Sequence, residues 1–217
     1  MIQFENVTAT YADDVGIFDL SFHIEKGEMV FLMGPTGAGK STVLRTIYKD
    51  ILLNDGSLYI DGQDVTYMRT RKIPYYRRKI GMIFQDFRLI EDRSVFENVA
   101  LPLHIIGLPK KEITSKVNEI LEKVGLQNVT KIIPSQLSGG EQQRVSIARA
   151  LVKDPVVILA DEPTGNLDPN VSDEILDLLE LATNNGTSVL MSTHNFPLIR
   201  PRKKRYIELN DGRLVQR

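Results

Sequence analysis

The sequence of 217 residues contains no cysteine, which excludes disulfides, thiolate metal sites and cysteine nucleophiles and fits a reducing compartment. Nor is there an excess of either charge. Lys and Arg number 27 against 28 Asp and Glu, a formal net charge of −1, so the chain as a whole is no electrostatic binder of nucleic acid. Long apolar runs are missing as well. The charge-free stretch 98–109 is interrupted by Pro102, Gly107 and Pro109 and falls far short of the ~20 apolar residues a membrane-spanning helix needs. The opening segment MIQFENVTATYADD has acidic groups and no basic region, so a secretory leader is not expected. There is no internal repeat, and 15 Gly and 10 Pro suggest neither disorder nor a fibrous protein. What remains is ordinary globular composition, 42% hydrophobic and 25% charged, in a length that suits one domain with a modest subdomain. A soluble, cytoplasmic protein is the expectation.

Strand formers alternate over Ile2 to Val7 and Leu20 to Ile24, and Met29 to Met33 is a continuous apolar run of the kind buried on both faces of a sheet. A Gly-rich turn leads into a predicted helix from Lys40 to about Lys49. Further strands are predicted over Leu58–Ile60, Ile80–Phe84, Val156–Ala160 and Thr187–Met191, and Asn210-Asp211-Gly212 predicts a terminal hairpin. Between about Asp86 and Gln136 the signals are helical. Ile113, Val117, Ile120, Leu121 and Val124 recur with the spacing of one helix face, and Val171, Ile175, Leu178, Leu179 and Ala182 do so in a later helix. Alternating strands and helices predict an α/β core with a largely parallel sheet, carrying an inserted helical subdomain.

The segment Gly34-Pro35-Thr36-Gly37-Ala38-Gly39-Lys40-Ser41, followed by Thr42, matches the phosphate-binding pattern G-x-x-x-x-G-K-S/T between a buried strand and a helix. Glycines let successive N–H groups turn inward as an anion nest, and the helix N-terminus adds partial positive charge at the same place. Lys40 is placed to reach the β- and γ-phosphates, and Ser41 to ligate Mg²⁺. A nucleoside triphosphate is the expected ligand. The apolar run Val157 to Ala160 ends in Asp161 and Glu162, at the sheet edge where α/β proteins bind ligands. Asp161 there suits Mg²⁺, and Glu162 suits a base or water-orienting group, although a solvated acidic strand end has the same sequence. Ser138-Gly139-Gly140-Glu141 precedes another helix. Ser138 is a good N-cap, and the two glycines leave backbone N–H groups open to an anion.

Leu-Ser-Gly-Gly-Glu at 137–141, beside the loop at 34–41 and the Asp161-Glu162 strand end, resembles the ATP-binding cassette ATPases. That resemblance implies an ATP-binding cassette fold: a mostly parallel core sheet, an antiparallel β subdomain and a helical subdomain inserted at about 87–136. It implies ATP and Mg²⁺ as cofactors, and a homodimer in which the Ser138, Gly139, Gly140 segment of one subunit caps the γ-phosphate held by the other. By the same resemblance Tyr11 is the aromatic that stacks on adenine, and Gln85 contacts Mg²⁺ and the attacking water. Asn166-Leu167-Asp168 crosses the dimer interface, and His194 contacts the γ-phosphate. Taken singly, Tyr11 could be a strand aromatic, Gln85 a loop residue and His194 a partly buried histidine.

The stretches 77–89, 92–95 and 97–103, with Asp86-Phe87-Arg88 the most discriminating, are similar to the bacterial cell-division members of the family. The implication is an ATPase held at the cytoplasmic face of the plasma membrane by a separate integral membrane protein. Lipoprotein-release and macrolide-efflux ATPases share the segment Asp161 to Asp168 and are the alternative. Two basic clusters hide in the balanced total: Arg69, Arg71, Lys72, Arg77, Arg78 and Lys79, with Tyr75 and Tyr76 among them, and Arg200, Arg202, Lys203, Lys204 and Arg205. The second is expected to face anionic lipid headgroups, with a solvated face as the plainer reading; no nucleic-acid partner is expected. Residues 48–56 differ from many relatives and are expected to form a surface loop.

Overall fold

The structure, a computed structural model, describes residues 1–12 and 15–215. Strands β1 (Ile2–Ala12) and β2 (Val15–Ile24) pair antiparallel, with Ile2 opposite Ile24 and Ala9 opposite Ile17. Both run further than the alternation of the sequence predicts. Register shifts after Phe4 and Val7 absorb the breaks in pattern, so that Val7, Ala9, Ile17 and Leu20 all remain buried. After β3 (Met29–Met33) and α1 (Lys40–Ile47), β4 (Asp55–Ile60) pairs antiparallel with β1 and continues into β5 (Gln63–Asp64). The order of this sheet is β2-β1-β4-β5.

The chain proceeds through α2 (Ile73–Arg77), β6 (Ile80–Ile83), α3 (Val95–Ile106), α4 (Lys110–Lys123), α5 (Gly139–Leu151) and β7 (Val157–Asp161). It ends with α6 (Pro169–Asn184), β8 (Ser188–Thr193), α7 (Phe196–Ile199), β9 (Arg205–Asn210) and β10 (Arg213–Leu214). The second sheet has the order β10-β9-β3-β8-β7-β6 and is parallel throughout except for the β9–β10 hairpin.

Alternation within the buried strands divides the core into two layers. Val30, Leu32, Val157, Leu159 and Leu190 face α1 and the antiparallel sheet, where they join Val43, Leu44 and Ile47. Phe31, Ile158, Ala160, Val189 and Met191 point the other way, onto Ile147 of α5 and Ile175, Leu176 and Leu179 of α6. A third apolar cluster joins α3, α4 and α5 through Val99, Leu103, Val117, Leu121, Val145 and Ala148. Helix α5 therefore shares its side chains between the parallel sheet and the helical region.

Within 86–136 the regular helices are α3, α4 and a short 3₁₀ turn at Pro134–Gln136, and residues 84–94 are turns and irregular chain. Buried Asn98 organises that irregular approach. Its side chain accepts from the Ile90 N–H at 2.8 Å and donates to the carbonyls of Ile90, Arg93 and Ser94. Residues 48–56 are not simply a surface loop. Lys49, Ile51 and Leu53 are buried, and the Lys49 ammonium donates to the Thr66 carbonyl at 3.0 Å.

Candidate active site

The apolar β3 ends at Gly34, whose φ of 145° and close approach admit no side chain: a Cβ would stand 2.3 Å from the Leu209 carbonyl oxygen. The loop returns through Gly39, left-handed at φ 97°, whose carbonyl accepts the Val43 N–H at 3.0 Å and so starts α1. No side chain caps α1, an arrangement that suits an anion at its N-terminus. These elements floor a cleft of about 630 Å³, with Thr36, Gly37, Gly39, Lys40, Ser41 and Thr42 along its base. Tyr11, 61% exposed, stands at its rim. Gln85, Glu162 and His194 complete its wall. Gly34, Pro35 and Ala38 do not line the cleft: Ala38 is buried, and the carbonyls of Gly34 and Pro35 accept from the lysine.

Lys40 is 5% exposed, and its Nζ donates to the carbonyls of Gly34 at 2.8 Å and Pro35 at 3.0 Å. Glu162 Oε1 lies 3.4 Å from the same nitrogen. Glu162 Oε2 meets His194 Nδ1 at 3.0 Å. The carboxylate thus bridges the loop lysine and the histidine, which are 154 positions apart in the chain but brought to adjacent strand ends by the parallel pairing of β3 with β8. Glu162 sits in the left-handed region at φ 43°, a costly conformation for a non-glycine residue that surrounding contacts must offset. Its N–H donates to Ser192 Oγ at 2.9 Å. Asp161 Oδ1 accepts from Ser41 Oγ at 3.0 Å and from Ser192 Oγ at 2.6 Å. Gln85 follows β6, the strand paired with β7, and a Cβ on Gly165 would lie 3.4 Å from its Nε2.

The Ser138 segment is elsewhere. Ser138, Gly139, Gly140 and Glu141 do not line this cleft. Ser138 caps α5 and closes a box with Glu141: the Glu141 carboxylate accepts from the Ser138 N–H at 2.8 Å and from its hydroxyl at 2.7 Å. Those two bonds hold the Glu141 carboxyl below the ordinary range. Glu141 is thereby committed to the helix start rather than offered as a free ligand group. Gly139 and Gly140 back onto the beginning of α6, where a Cβ on Gly140 would stand 2.8 Å from Val171 Cγ1 and one on Gly139 3.5 Å from Leu167 Cδ2. Asp168 caps α6 by accepting the N–H groups of Asn170 and Val171, both at 3.1 Å. The Ser138 and Asn166–Asp168 segments form one surface, separate from the cleft of their own chain.

Several cleft residues escaped the sequence reading. Phe18, Gly16, Asp211 and Gly212 line the cleft although Asp211-Gly212 had signalled only a hairpin turn. The hairpin is tied in by backbone: Gly212 N–H donates to the Ala38 carbonyl at 3.1 Å, and Phe18 N–H to the Gly212 carbonyl at 2.8 Å. Nothing local in the sequence signals these long-range bonds.

The second basic cluster is not a free face. Arg202 is bound by Asp173, Asp177 and Glu180 of α6, Lys204 approaches Glu180 at 3.6 Å, and Arg205 pairs with Glu28 at 2.8 Å. Three of the five cations are thus engaged by carboxylates, Arg202 and Lys204 sharing Glu180, while Arg200 and Lys203 are exposed. In the first cluster Tyr76 is buried, with its hydroxyl donating to the Ile47 carbonyl at 2.7 Å, and Arg77 stacks on Tyr48 at 4.5 Å. Tyr75 is exposed, with the Arg78 guanidinium 4.6 Å from its ring.

A Gly-rich loop at the head of α1, facing two carboxylates at the ends of a parallel sheet, together with an antiparallel sheet, a helical region and the Ser138-Gly139-Gly140 start of α5, is the arrangement of an ATP-binding cassette ATPase. The sequence profile of the ABC transporter family matches residues 17–165, and the chain belongs to that family. Among its curated relatives, the protein named Cell division ATP-binding protein FtsE from Escherichia coli is 48% identical over 215 residues, covering 99% of this chain and 97% of the relative. The proteins of that name from Bacillus subtilis and Mycobacterium tuberculosis are each 45% identical, covering 100% of this chain and 95% of the relative. Of solved structures, the dimeric post-hydrolysis state of the ATP-binding cassette MJ0796 bound to ADP and Pi has a TM-score of 0.89 at 36% identity, over 100% of this chain and 97% of that one. CbiO1 from Clostridium perfringens, part of the complex cbiONQ, has a TM-score of 0.91 at 28% identity, over 99% of this chain and 86% of that one. No helix among the described residues is long and apolar enough to cross a membrane.

Proposed function

We propose that this protein is the ATP-hydrolysing subunit of a membrane complex that acts in bacterial cell division, as its relatives named FtsE suggest. The observation that carries the catalytic part is the convergence of Glu162 with Lys40 at 3.4 Å and His194 at 3.0 Å at the mouth of the phosphate-binding loop. Loop amides and Lys40 bear the phosphate charge, and Tyr11 at the rim stacks on the base. Glu162 accepts the proton of the attacking water, and His194 holds that carboxylate while reaching toward the γ-phosphate. Gln85 orients the water from beside Glu162, since a Cβ on Gly165 would lie 3.4 Å from Gln85 Nε2 and 3.7 Å from Glu162 Oε2.

The donor set fits Mg²⁺ arriving with the nucleotide. Ser41 Oγ on the cleft floor and Asp161 Oδ1, 3.0 Å behind it, are hard oxygen donors, and the Gln85 amide oxygen can supply a third. When bound there, Mg²⁺ would supply charge neutralisation for the triphosphate.

The distance of Ser138, Gly139 and Gly140 from the cleft of their own chain supports a homodimer in which they cap nucleotide held by the other copy, as does the dimeric state of MJ0796. Residues 87–136 act as a helical subdomain between the Gln85 loop and α5. We assign attachment at the cytoplasmic face of the plasma membrane to an integral partner resembling FtsX, making this chain a peripheral subunit. Lipid contact through 200–205 is reduced to Arg200 and Lys203, since Arg202, Lys204 and Arg205 are engaged by carboxylates. Two such residues contribute only about 1 kcal/mol each at an anionic surface.

The test is Glu162→Gln. Turnover should fall by about 10²–10⁴ while nucleotide affinity is kept, and MgATP should then hold a dimer on gel filtration. Hydrolysis at the parent rate would remove Glu162 from its role, and a monomer at saturating MgATP would remove the shared site. Stimulation of turnover by the reconstituted FtsX-like protein, and not by a lipoprotein-release or efflux partner, tests the cell-division assignment.

A further inference from the structure

Immediately after Gln85 the chain adopts an unusual course. Phe87 and Arg88 are consecutive non-glycine residues with positive φ, 57° and 48°, a conformation that persists only where its surroundings enforce it. The enforcing group comes from far away in sequence. Arg149, in the last turn of α5, donates from Nη1 to the Arg88 carbonyl at 2.6 Å and from Nη2 to the Phe87 carbonyl at 2.7 Å. A guanidinium fork is suited to holding two adjacent acceptors in fixed geometry, and a charged donor makes each bond stronger than a neutral one would be. The Arg88 side chain folds back over the Phe84 ring at 4.0 Å and toward Asp86 at 3.3 Å, closing the loop on the strand that carries it.

The other end of this connection is equally well held. Ala150, next to Arg149, abuts β6: a Cβ on Gly81 would lie 3.2 Å from the Ala150 Cβ. At its far end α5 begins at Ser138, and along its length Val145, Ala148 and Val152 pack with α3 and α4. One helix therefore carries the Ser138 cap at its N-terminus and grips the loop behind Gln85 at its C-terminus.

We propose that Arg149 is a positioning residue that locks the Gln85 loop to α5 and so sets the placement of Gln85 in the cleft. The inference rests on the ATPase reading above. Arg149 touches no substrate; it acts through the carbonyls of Phe87 and Arg88.

The experiment is a double-mutant cycle on the full chain, using Arg149→Gln, Arg149→Lys and Gln85→Ala, with kcat and KM for MgATP and amide hydrogen exchange over residues 84–90. Arg149→Gln should lower kcat about tenfold with KM changed less than about twofold, and exchange at 86–90 should speed up while the interior of α5 stays protected. Arg149→Lys, which keeps the charge without the fork, should fall between, and it serves as the test if the glutamine variant does not fold. In the Gln85→Ala background the Arg149 substitution should cost little further, because both act through one group. Equal losses in both backgrounds, or unchanged exchange at 86–90, would overturn the proposal. A parent protein without ATPase activity would instead defeat the functional reading, and the exchange measurement would still decide the role of Arg149 in holding the loop.

Discussion

Ser192 Oγ donates a 2.6 Å hydrogen bond to Asp161 Oδ1, and the same oxygen accepts the backbone N–H of the next residue, Glu162, at 2.9 Å. One buried hydroxyl on β8 thus fixes both carboxylate-bearing residues at the end of β7. It also helps to stabilise the left-handed backbone of Glu162.

Ser192→Ala removes that hydroxyl without adding volume. Hydrogen bonds to charged groups are worth about 1.5–3 kcal/mol, so kcat/KM for MgATP should drop roughly tenfold or more. The stabilisation of the protein by MgATP in a thermal melt should shrink in parallel, and Ser192→Thr should restore part of both. An alanine variant with unaltered MgATP-dependent stabilisation and kinetics would show that Asp161 and Glu162 are held without Ser192.

Arg202→Gln should destabilise the protein rather than alter any membrane affinity. Arg202 is 16% exposed and is the shared partner of Asp173, Asp177 and Glu180, which would be left facing one another. A loss of about 1–2 kcal/mol is expected, since Asp173 and Asp177 are themselves largely solvated. That should lower the melting temperature by roughly 2–8 °C, with the gap narrowing as salt is raised. Binding to anionic vesicles, measured by flotation without a membrane partner, should be unchanged; a marked loss there would restore the lipid-facing reading of 200–205.

Lys153 gives a pH-dependent test. Burial lowers its ammonium pKa to about 8, while its Nζ donates to the Arg77 carbonyl at 3.0 Å. Below pH ~8 the group is protonated in both the folded and unfolded chains, and the cost of burying the charge is constant. Between pH ~8 and ~10.4 the unfolded chain binds more protons than the folded one, so folding stability rises with pH. Relative to Lys153→Met, the parent should gain about 2–3 kcal/mol across that window in urea denaturation. A constant difference between the two proteins from pH 7 to 10 would rule out a depressed Lys153.

The phosphate-binding loop, the Asp161-Glu162 strand end and the Ser138 helix cap were legible because each is a local chemical pattern. The hairpin at Asp211-Gly212 was legible for the same reason, with both residues at positive φ, 45° and 72°. The hairpin's place beside Phe18 and Ala38 was not, since it depends on hydrogen bonds between residues more than 170 apart. The basic block 200–205 misled because charge counted along a chain says nothing of the carboxylates that α6 brings to it.

The missing cysteines, the balanced charge and the short apolar runs belong to composition, and with the motif spacing they determined the class of protein: an α/β nucleotide-binding chain whose elements form from local alternation and capping. Only the tertiary structure decided which carboxylate meets Lys40, which hydroxyl holds Asp161, and that Arg149 holds the loop behind Gln85. The reason is geometric. A parallel sheet brings strand ends from distant parts of the sequence to one edge, and side-chain partners there are selected by register and packing, which no local pattern encodes.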